Sequence, residues 1–349
     1  MGRRRDGRLD EGVASVEGWH RPWWDHEPAC GRRPVIGGHP GAPILFIVNP
    51  SSGAGKAGRE WAAIETWLPA SGLPYEAALT TRPLEATEIA QRAVLESRPL
   101  VVAVGGDGTL NEVVNGFFRN GAPLPTSSKL AMVPLGTGGD FRRTLRIPAD
   151  PRQAIDVLRS GLVRRLDAGC VTFQAADGST AVRHFINIAD AGLGGDVVFQ
   201  MGNGTKRFGN AAYTLGGLRA LIGFKNKPMT VEVDHVSHEL PKAQQVVVAN
   251  CQYFGGGMQM APSASPTDGV FDVILIKDAG KIETMRGMND FRAGKHLDQN
   301  NPKIELMYGK RVSITSPEKV RIDIDGEAVG FLPALFEIQP GAIEFVTPR

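Results

Sequence analysis

Two carboxylates stand where phosphate oxygens would be expected to bind. The stretch Gly105-Gly106-Asp107-Gly108-Thr109-Leu110-Asn111-Glu112 follows the apolar run Leu100 to Val104 and leads into Val113, Val114, Phe117 and Phe118. Glycines let a backbone approach a ligand closely, and the free amides at a helix start suit phosphate oxygens. A carboxylate beside phosphates is repulsive unless it has a task. Asp107 would hold Mg²⁺ through water, order the loop, or accept a proton from an attacking hydroxyl. Pro134-Leu135-Gly136-Thr137-Gly138-Gly139-Asp140-Phe141 repeats the arrangement after another apolar run, with a second carboxylate. Together the two loops suggest a nucleoside triphosphate with Mg²⁺, and phosphoryl transfer by positioning and charge neutralisation.

Three further stretches carry the right residue types. Asn49-Pro50-Ser51-Ser52-Gly53-Ala54-Gly55-Lys56 fails as a Walker A loop, because Pro50 stands where a glycine is needed and Ala57 where Ser or Thr is needed. Gly53, Gly55 and Gly58 fit a dinucleotide fingerprint, yet Asn49 to Ser52 separate them from the preceding strand. The next strand ends in Thr80-Thr81, where that fingerprint expects an acidic residue. Asp268-Gly269 and Asp325-Gly326-Glu327 each read, taken alone, as a hairpin turn.

The elements that must position these residues follow from apolar periodicity. Apolar runs at 44–48, 75–80, 100–104 and 130–135 alternate with helical patterns near 58–69, 85–97, 109–118 and 151–160. Continuous apolar strands separated by helices predict a doubly wound parallel sheet covered on both faces. After about Arg164 the rhythm changes to period-two strands with turns such as Asp177-Gly178, and helical stretches remain near 209–224 and 281–295. We therefore expect a nucleotide-binding α/β domain over 43–163 and a mostly antiparallel β domain over 164–349. Residues 1–42, rich in Gly and Pro, read as a disordered or loosely docked extension whose Trp19, Trp23 and Trp24 would suit a lipid headgroup interface.

Composition narrows the function classes. The 349 residues are 42% hydrophobic and 22% charged, which excludes disorder throughout. A net charge of +2 gives no general attraction for nucleic acid or an anionic membrane, so any basic site is local. Cys30, Cys170 and Cys251 are too few and too scattered for a disulfide framework or a cysteine metal cluster. No stretch approaches the roughly 18 apolar residues of a membrane span, and Arg3-Arg4-Arg5 is followed by Asp6, not by an apolar segment. The expectation is a cytoplasmic protein, at most peripheral at the inner membrane face.

Taken in chain order, these motifs resemble a known family. Asn49-Pro50 with Gly53, the Gly105 to Thr109 box, the Pro134-Leu135-Gly136-Thr137 loop, the Asp268-Gly269 turn and Asp325-Gly326-Glu327 are similar to those of bacterial diacylglycerol kinase-like lipid kinases. The catalytic domain of that family is shared with diacylglycerol, sphingosine and ceramide kinases. The likeness covers about residues 43–349. The glycine box belongs to the wider superfamily that also holds NAD kinases, and the later motifs narrow it to the lipid kinase branch. The resemblance implies an α/β domain followed by a β-sandwich, and ATP-dependent transfer of the γ-phosphoryl group to a diacylglycerol-like lipid hydroxyl at the membrane surface.

Carried over by position, the resemblance implies that Asn49, Pro50, Ser51, Ser52, Gly53, Thr80, Gly105, Gly106, Asp107, Gly108, Thr109, Leu110, Asn111, Thr137 and Asp140 surround ATP. It implies Glu327 as the base for the lipid hydroxyl, supported by Asp325, with Asp107 also in the catalytic group. Asp268, with the carbonyls of Ser265 and Val270, would hold a structural Mg²⁺. One departure stands out: Gly139 occupies the position before Asp140 where the family carries Asn. The rival readings are an NAD kinase-like enzyme, whose Thr-Gly-Ser-Thr-Ala-Tyr loop is echoed only at Asp177 to Val182, and a nucleotide-binding regulatory protein weakened in catalysis. Tyr213, Leu215, Leu218, Leu221 and Ile222 would line an acyl-chain cleft or simply pack a core. The identity of the lipid and the oligomeric state, a homodimer included, are not legible.

Overall fold

The computed structural model describes residues 42–202, 221–298 and 301–349, which all fall within one compact unit. Trp19, Trp23 and Trp24, and likewise Tyr213, Leu215 and Leu218, lie outside the described residues. Strands β1 (Ile44–Val48), β2 (Tyr75–Leu79), β3 (Leu100–Gly105), the short β4 (Phe118–Arg119) and β5 (Ala122–Pro123), and β6 (Lys129–Pro134) come first in the chain. They alternate with helices α1 (Lys56–Trp67), α2 (Glu85–Leu95), α3 (Asp107–Asn115), α4 (Asp140–Thr144) and α5 (Pro151–Ser160). β2, β1, β3 and β6 lie side by side and parallel. Every residue of β1, β3 and β6 is buried, as their unbroken apolar runs require of strands covered on both faces.

One sheet face, carrying Phe46, Val48, Val102 and Val104, packs against Trp61 and Ile64 of α1 and Ile155 and Leu158 of α5. The helices α2 and α3 pack against each other and against the sheet. The starts of α1 and α3 fall two residues earlier than periodicity suggests. Their first turns are built from Lys56 and from Asp107-Gly108, polar residues that carry no apolar period. The pattern near 109–118 also overruns its helix, because Phe118 belongs to a two-residue hairpin. Helix α4 was not legible: five residues are too few to show a period.

The remainder is largely antiparallel. It comprises β7 (Leu162–Gln174), β8 (Thr180–Phe185), β9 (Ile188–Gly192), α6 (Leu193–Gly202), β10 (Lys227–Val233), β11 (Val236–Ala243), β12 (Gln245–Ala249) and β13 (Phe271–Ile276). Then come α7 (Lys281–Ala293), β14 (Ile304–Gly309), β15 (Arg311–Thr315), β16 (Arg321–Ile324) and β17 (Glu327–Thr347). One layer runs β14-β13-β12-β9-β16-β17, and the other joins β8, β7, β17, β15, β10 and β11. Between them lies a core that includes Phe173, Phe185, Val246, Val248, Phe271, Ile314 and Phe336. The long β17 belongs to both layers, and its register shifts beside Pro333 and Pro340, residues with no N–H for the ladder. Its last residues then lie parallel to β6 at Phe345 and Leu130. The parallel sheet is thus completed by the far end of the chain. No described helix is long and apolar enough to cross a membrane.

A pair of acids sits inside this sheet. Asp190 of β9 and Asp323 of β16 face each other in register, both fully buried. Burial raises the pKa of both, and the neighbouring Asp190 raises Asp323 further. A carboxyl with a raised native pKa contributes stability that is complete below the ordinary carboxylate range and is lost as pH climbs through the raised value. Asp323→Asn removes that titration. We expect a melting temperature roughly 2–6 °C above the parent at about pH 8, and near-parental melting below about pH 4, measured by thermal scans in matched buffers.

Candidate active site

Three loops meet at the carboxyl ends of β1, β3 and β6. The N–H groups of Leu135 and Gly136 both donate to the Gly105 carbonyl, at 2.8 and 3.0 Å. At Gly136 an added Cβ would lie 2.3 Å from the Gly106 Cα, so only hydrogen fits between the two backbones. Gly53, at φ +61, takes up the left-handed conformation beside the Leu135 carbonyl and Thr137. Asn49 donates through Nδ2 to Thr109 Oγ1 at 3.2 Å, and Ser52 Oγ lies 3.0 Å from the same hydroxyl. Thr80 follows β2 and donates its N–H to the Val48 carbonyl at 2.8 Å. Asn49, Ser52, Gly53, Gly105, Gly106, Thr109 and Thr137 are therefore brought together around one small-residue basin.

Asp107 orders this basin. Its carboxylate accepts the N–H groups of Asp140 at 3.1 Å and Phe141 at 3.3 Å, a favourable place for negative charge at the start of α4. Asp140 is buried, accepts the Gly256 N–H at 2.8 Å and pairs with Arg143 at 3.0 Å. Burial raises the Asp140 pKa, and the charge of Asp107 adds to the rise. Arg143 also donates to the Gly138 carbonyl at 2.6 Å. Gly255, Gly256 and Gly257 all have positive φ, and this turn delivers the Gly256 amide to Asp140. Arg143 and the triple glycine were missed in the sequence, although three consecutive glycines were a visible signal. Gly139 precedes α4 at φ +64, a conformation that Asn also tolerates. The departure from the family thus keeps the backbone shape and loses a side chain.

Across the basin lies Glu327. Its Oε1 stands 3.7 Å from where a Cβ on Gly108 would be, so the carboxylate faces the glycine box. Its Oε2 accepts from Arg183 Nη1 at 2.9 Å, and Arg183 Nη2 donates to Asn111 Oδ1 at 2.9 Å. Asn111 is fully buried and donates to the Asp325 carboxylate at 2.8 Å and to the His184 carbonyl at 3.0 Å. The Asn111 side chain is thus committed to this network. Asp325, at φ +49, also accepts the N–H groups of Ile186, Asn187 and Ile188, each at 3.1 Å. Burial pushes the Asp325 pKa up to about 6 against these donors. Asp325 reaches Glu327 through Asn111 and Arg183. Nothing in the sequence marked Arg183, a charged residue in an alternating strand.

Ser265, Asp268 and Val270 share the turn before β13. Asp268 Oδ1 accepts the Val270 N–H at 3.2 Å, and Ser265 Oγ lies 3.1 Å from Thr267 Oγ1. Buried Asp167 anchors the turn by accepting the N–H groups of Gly269 and Gly341, both at 2.7 Å. Desolvation raises Asp268 to about 6, and the charge of Asp167 contributes. Among the described residues no three Asp, Glu, His or Cys side chains converge as metal ligands. Asp268 supplies one hard carboxylate oxygen donor in the negative field of Asp167, and it is the residue here whose chemistry would suit Mg²⁺ with water completing the shell.

Residues 43–171 match the family described as the diacylglycerol kinase catalytic domain, and residues 188–347 match the YegS C-terminal NAD kinase beta sandwich-like domain. Over 306 residues the chain is 32% identical to a diacylglycerol kinase of Bacillus subtilis (strain 168), covering 87% of this chain and 96% of that protein. A diacylglycerol kinase of Staphylococcus carnosus (strain TM300) is 30% identical over 305 residues, covering 87% and 94%. A solved diacylglycerol kinase structure from Bacillus anthracis str. Sterne superposes with a TM-score of 0.65 at 25% identity, covering 88% of this chain and 97% of that one.

The network makes distinct demands on neighbouring acids. Asp325→Ala would leave Asn111 and three backbone N–H groups without their acceptor, and we expect a loss of about 3–5 kcal/mol of stability. Glu327→Gln leaves a hydrogen-bonding side chain at a half-exposed position and should cost under about 1 kcal/mol. Urea denaturation of both variants and the parent measures the contrast.

Proposed function

The chain belongs to the diacylglycerol kinase family and is a phosphotransferase with an alcohol acceptor, and from that premise we propose that its acceptor is a diacylglycerol-like lipid hydroxyl whose proton passes to Glu327. The observation that carries this reading is Glu327 itself, paired with Arg183 and facing Gly108 of the glycine box. The Arg183 guanidinium holds Oε2 in place and leaves Oε1 facing the glycine box, where a base would have to stand.

ATP, when bound, supplies the γ-phosphoryl group, and Mg²⁺ would neutralise charge on its phosphates. The residues expected to cradle ATP are Asn49 to Gly53, Thr80, Gly105 to Thr109 with Leu110, Thr137 and Asp140. Asn111 contributes from behind, by fixing Arg183. Glu327 Oε1 would take the hydroxyl proton as the acceptor oxygen bonds to the γ-phosphorus, and the bond from that phosphorus to the β,γ-bridging oxygen breaks with departure of ADP. Asp107 would act by ordering α4 and the second loop. Asp268, with the carbonyls of Ser265 and Val270, would hold a second, structural Mg²⁺ away from the reacting atoms. Residues 43–163 would serve the nucleotide and 164–349 the lipid, with the protein peripheral to the membrane that holds its substrate.

Two measurements test this. Purified protein with Mg·ATP is offered detergent-dispersed diacylglycerol, sphingosine and NAD separately, and products are identified by mass spectrometry. Phosphorylated diacylglycerol is expected, with Glu327→Gln slowing turnover by about 10²–10⁴ while nucleotide binding persists. A variant rate within about threefold of the parent, or phosphorylation of NAD instead, would defeat the assignment. For the Mg²⁺ site, Asp268→Ala should abolish the dependence of melting temperature on added Mg²⁺ and on EDTA. An identical response in parent and variant removes that site.

A further inference from the structure

Among the exposed large apolar residues of the β-rich part, Ile222 and the pair Ile282 and Met285 lie on two segments that one hydrogen bond joins. Ile222, Ile282 and Met285 are 59, 67 and 51% exposed. Ile282 and Met285 lie three residues apart on α7 and so share one face of the helix. Lys281 Nζ donates to the Ile222 carbonyl, which joins that face to the segment ahead of β10. Asn226 ties the same segment down, donating to Asp278 at 2.8 Å and to the Ala279 carbonyl at 3.1 Å. Beneath the patch, Leu221 and Phe224 pack with Leu193 of α6, and buried Thr284 of α7 meets Gln244 at 2.8 Å. The apolar groups therefore project from a fixed support.

The charge around them is one-sided. Lys225, Lys281 and Arg286 are exposed and form no ion pair among the described residues. Of the acids nearby, three are already matched, Glu283 with Lys303 at 2.6 Å, Asp278 with Lys242 at 3.7 Å and Glu305 with Lys277 at 2.9 Å, and half-buried Asp290 lies further along α7. Exposed apolar residues with unpaired cations close to them in the chain complement an anionic bilayer surface, where apolar side chains enter the headgroup boundary and cations meet lipid phosphates. The net charge of only +2 over the whole chain makes this a local feature. Its position also fits. Strand β9 begins at Ile188, whose carbonyl accepts from Asp325, and ends at Gly192 beside Gln244, so the patch lies roughly one strand length, on the order of 15 Å, beyond the Asp325 turn.

We propose that the amino-terminal half of α7 together with residues 222–225 is the membrane-docking face, with Ile222, Ile282 and Met285 entering an anionic bilayer and Lys225, Lys281 and Arg286 binding its phosphates. The inference rests on the lipid reading of the substrate, since an acceptor confined to a bilayer obliges the enzyme to dock there.

Full-chain protein is sedimented with vesicles of phosphatidylcholine alone and of phosphatidylcholine with phosphatidylglycerol. The parent should bind the anionic vesicles preferentially. I282E/M285E should lower the partition coefficient about tenfold or more, while turnover of detergent-dispersed diacylglycerol stays within about twofold of the parent. K281E/R286E should erase the preference for phosphatidylglycerol. Circular dichroism checks that each variant is folded, and Ile282→Ser provides a milder change in the same direction. Parental vesicle binding by I282E/M285E, or no vesicle binding by the parent, overturns the proposal. So does a parental dimer that I282E/M285E splits in sedimentation velocity while vesicle binding is unchanged, which would assign the face to a second copy. Absence of turnover on detergent-dispersed diacylglycerol defeats the substrate reading instead, and the vesicle results still decide the docking face.

Discussion

A single desolvated carboxylate ties α3, the β8–β9 junction and the turn before β17 together. Asp325 collects four N–H groups, one from the Asn111 side chain and three from consecutive residues at the junction of β8 and β9. Removing a charge from water is costly unless hydrogen bonds replace the lost hydration, and four donors do so here. The result is a fixed spatial relation among the Asp325 turn, the strand that follows the junction, and α3. Because α3 begins inside the glycine box, the nucleotide-side loop and the acid at Glu327 share one reference point. Arg183 extends the frame by bridging Asn111 and Glu327.

Glycine makes a second constraint. At Gly136 and Gly106 the two loop backbones approach so closely that a methyl group would overlap a Cα, and this contact sets the spacing of the β3 and β6 loops. The Asp107 carboxylate then spans from the first loop to the start of the short helix after the second. Close backbone packing and a charge at a helix start reinforce each other, so the basin is shaped before any ligand arrives.

Much of this was legible because it is written in local chemistry. The buried parallel strands announced themselves as unbroken apolar runs, and the Gly105 to Thr109 box, Asp325 and Glu327 were recognisable as motifs in order. What escaped was of two kinds. Helix α4 and the Gly255 to Gly257 turn are too short to show a period. Arg183 gains meaning only from partners far along the chain, Glu327 at 144 residues' separation being one, and a single sequence holds no record of such pairings; Arg143 pairs locally with Asp140, inside the short helix that shows no period. Asn111, read from its place in the motif as a ligand contact, has a side chain that joins Arg183 to Asp325, a link that spacing alone does not reveal.

The route of β17 has a consequence for how the chain becomes a folded protein. Its final residues pair with β7 and reach β6, while its first residue is Glu327, which faces the glycine box. During synthesis the parallel sheet therefore lacks its flanking strand until residue 347 has left the ribosome, long after its other strands are made. Contacts spanning nearly the whole polypeptide are slow to form and bind distant parts into one cooperative transition. Until the last strand arrives, the β6 edge stays open to unwanted pairing.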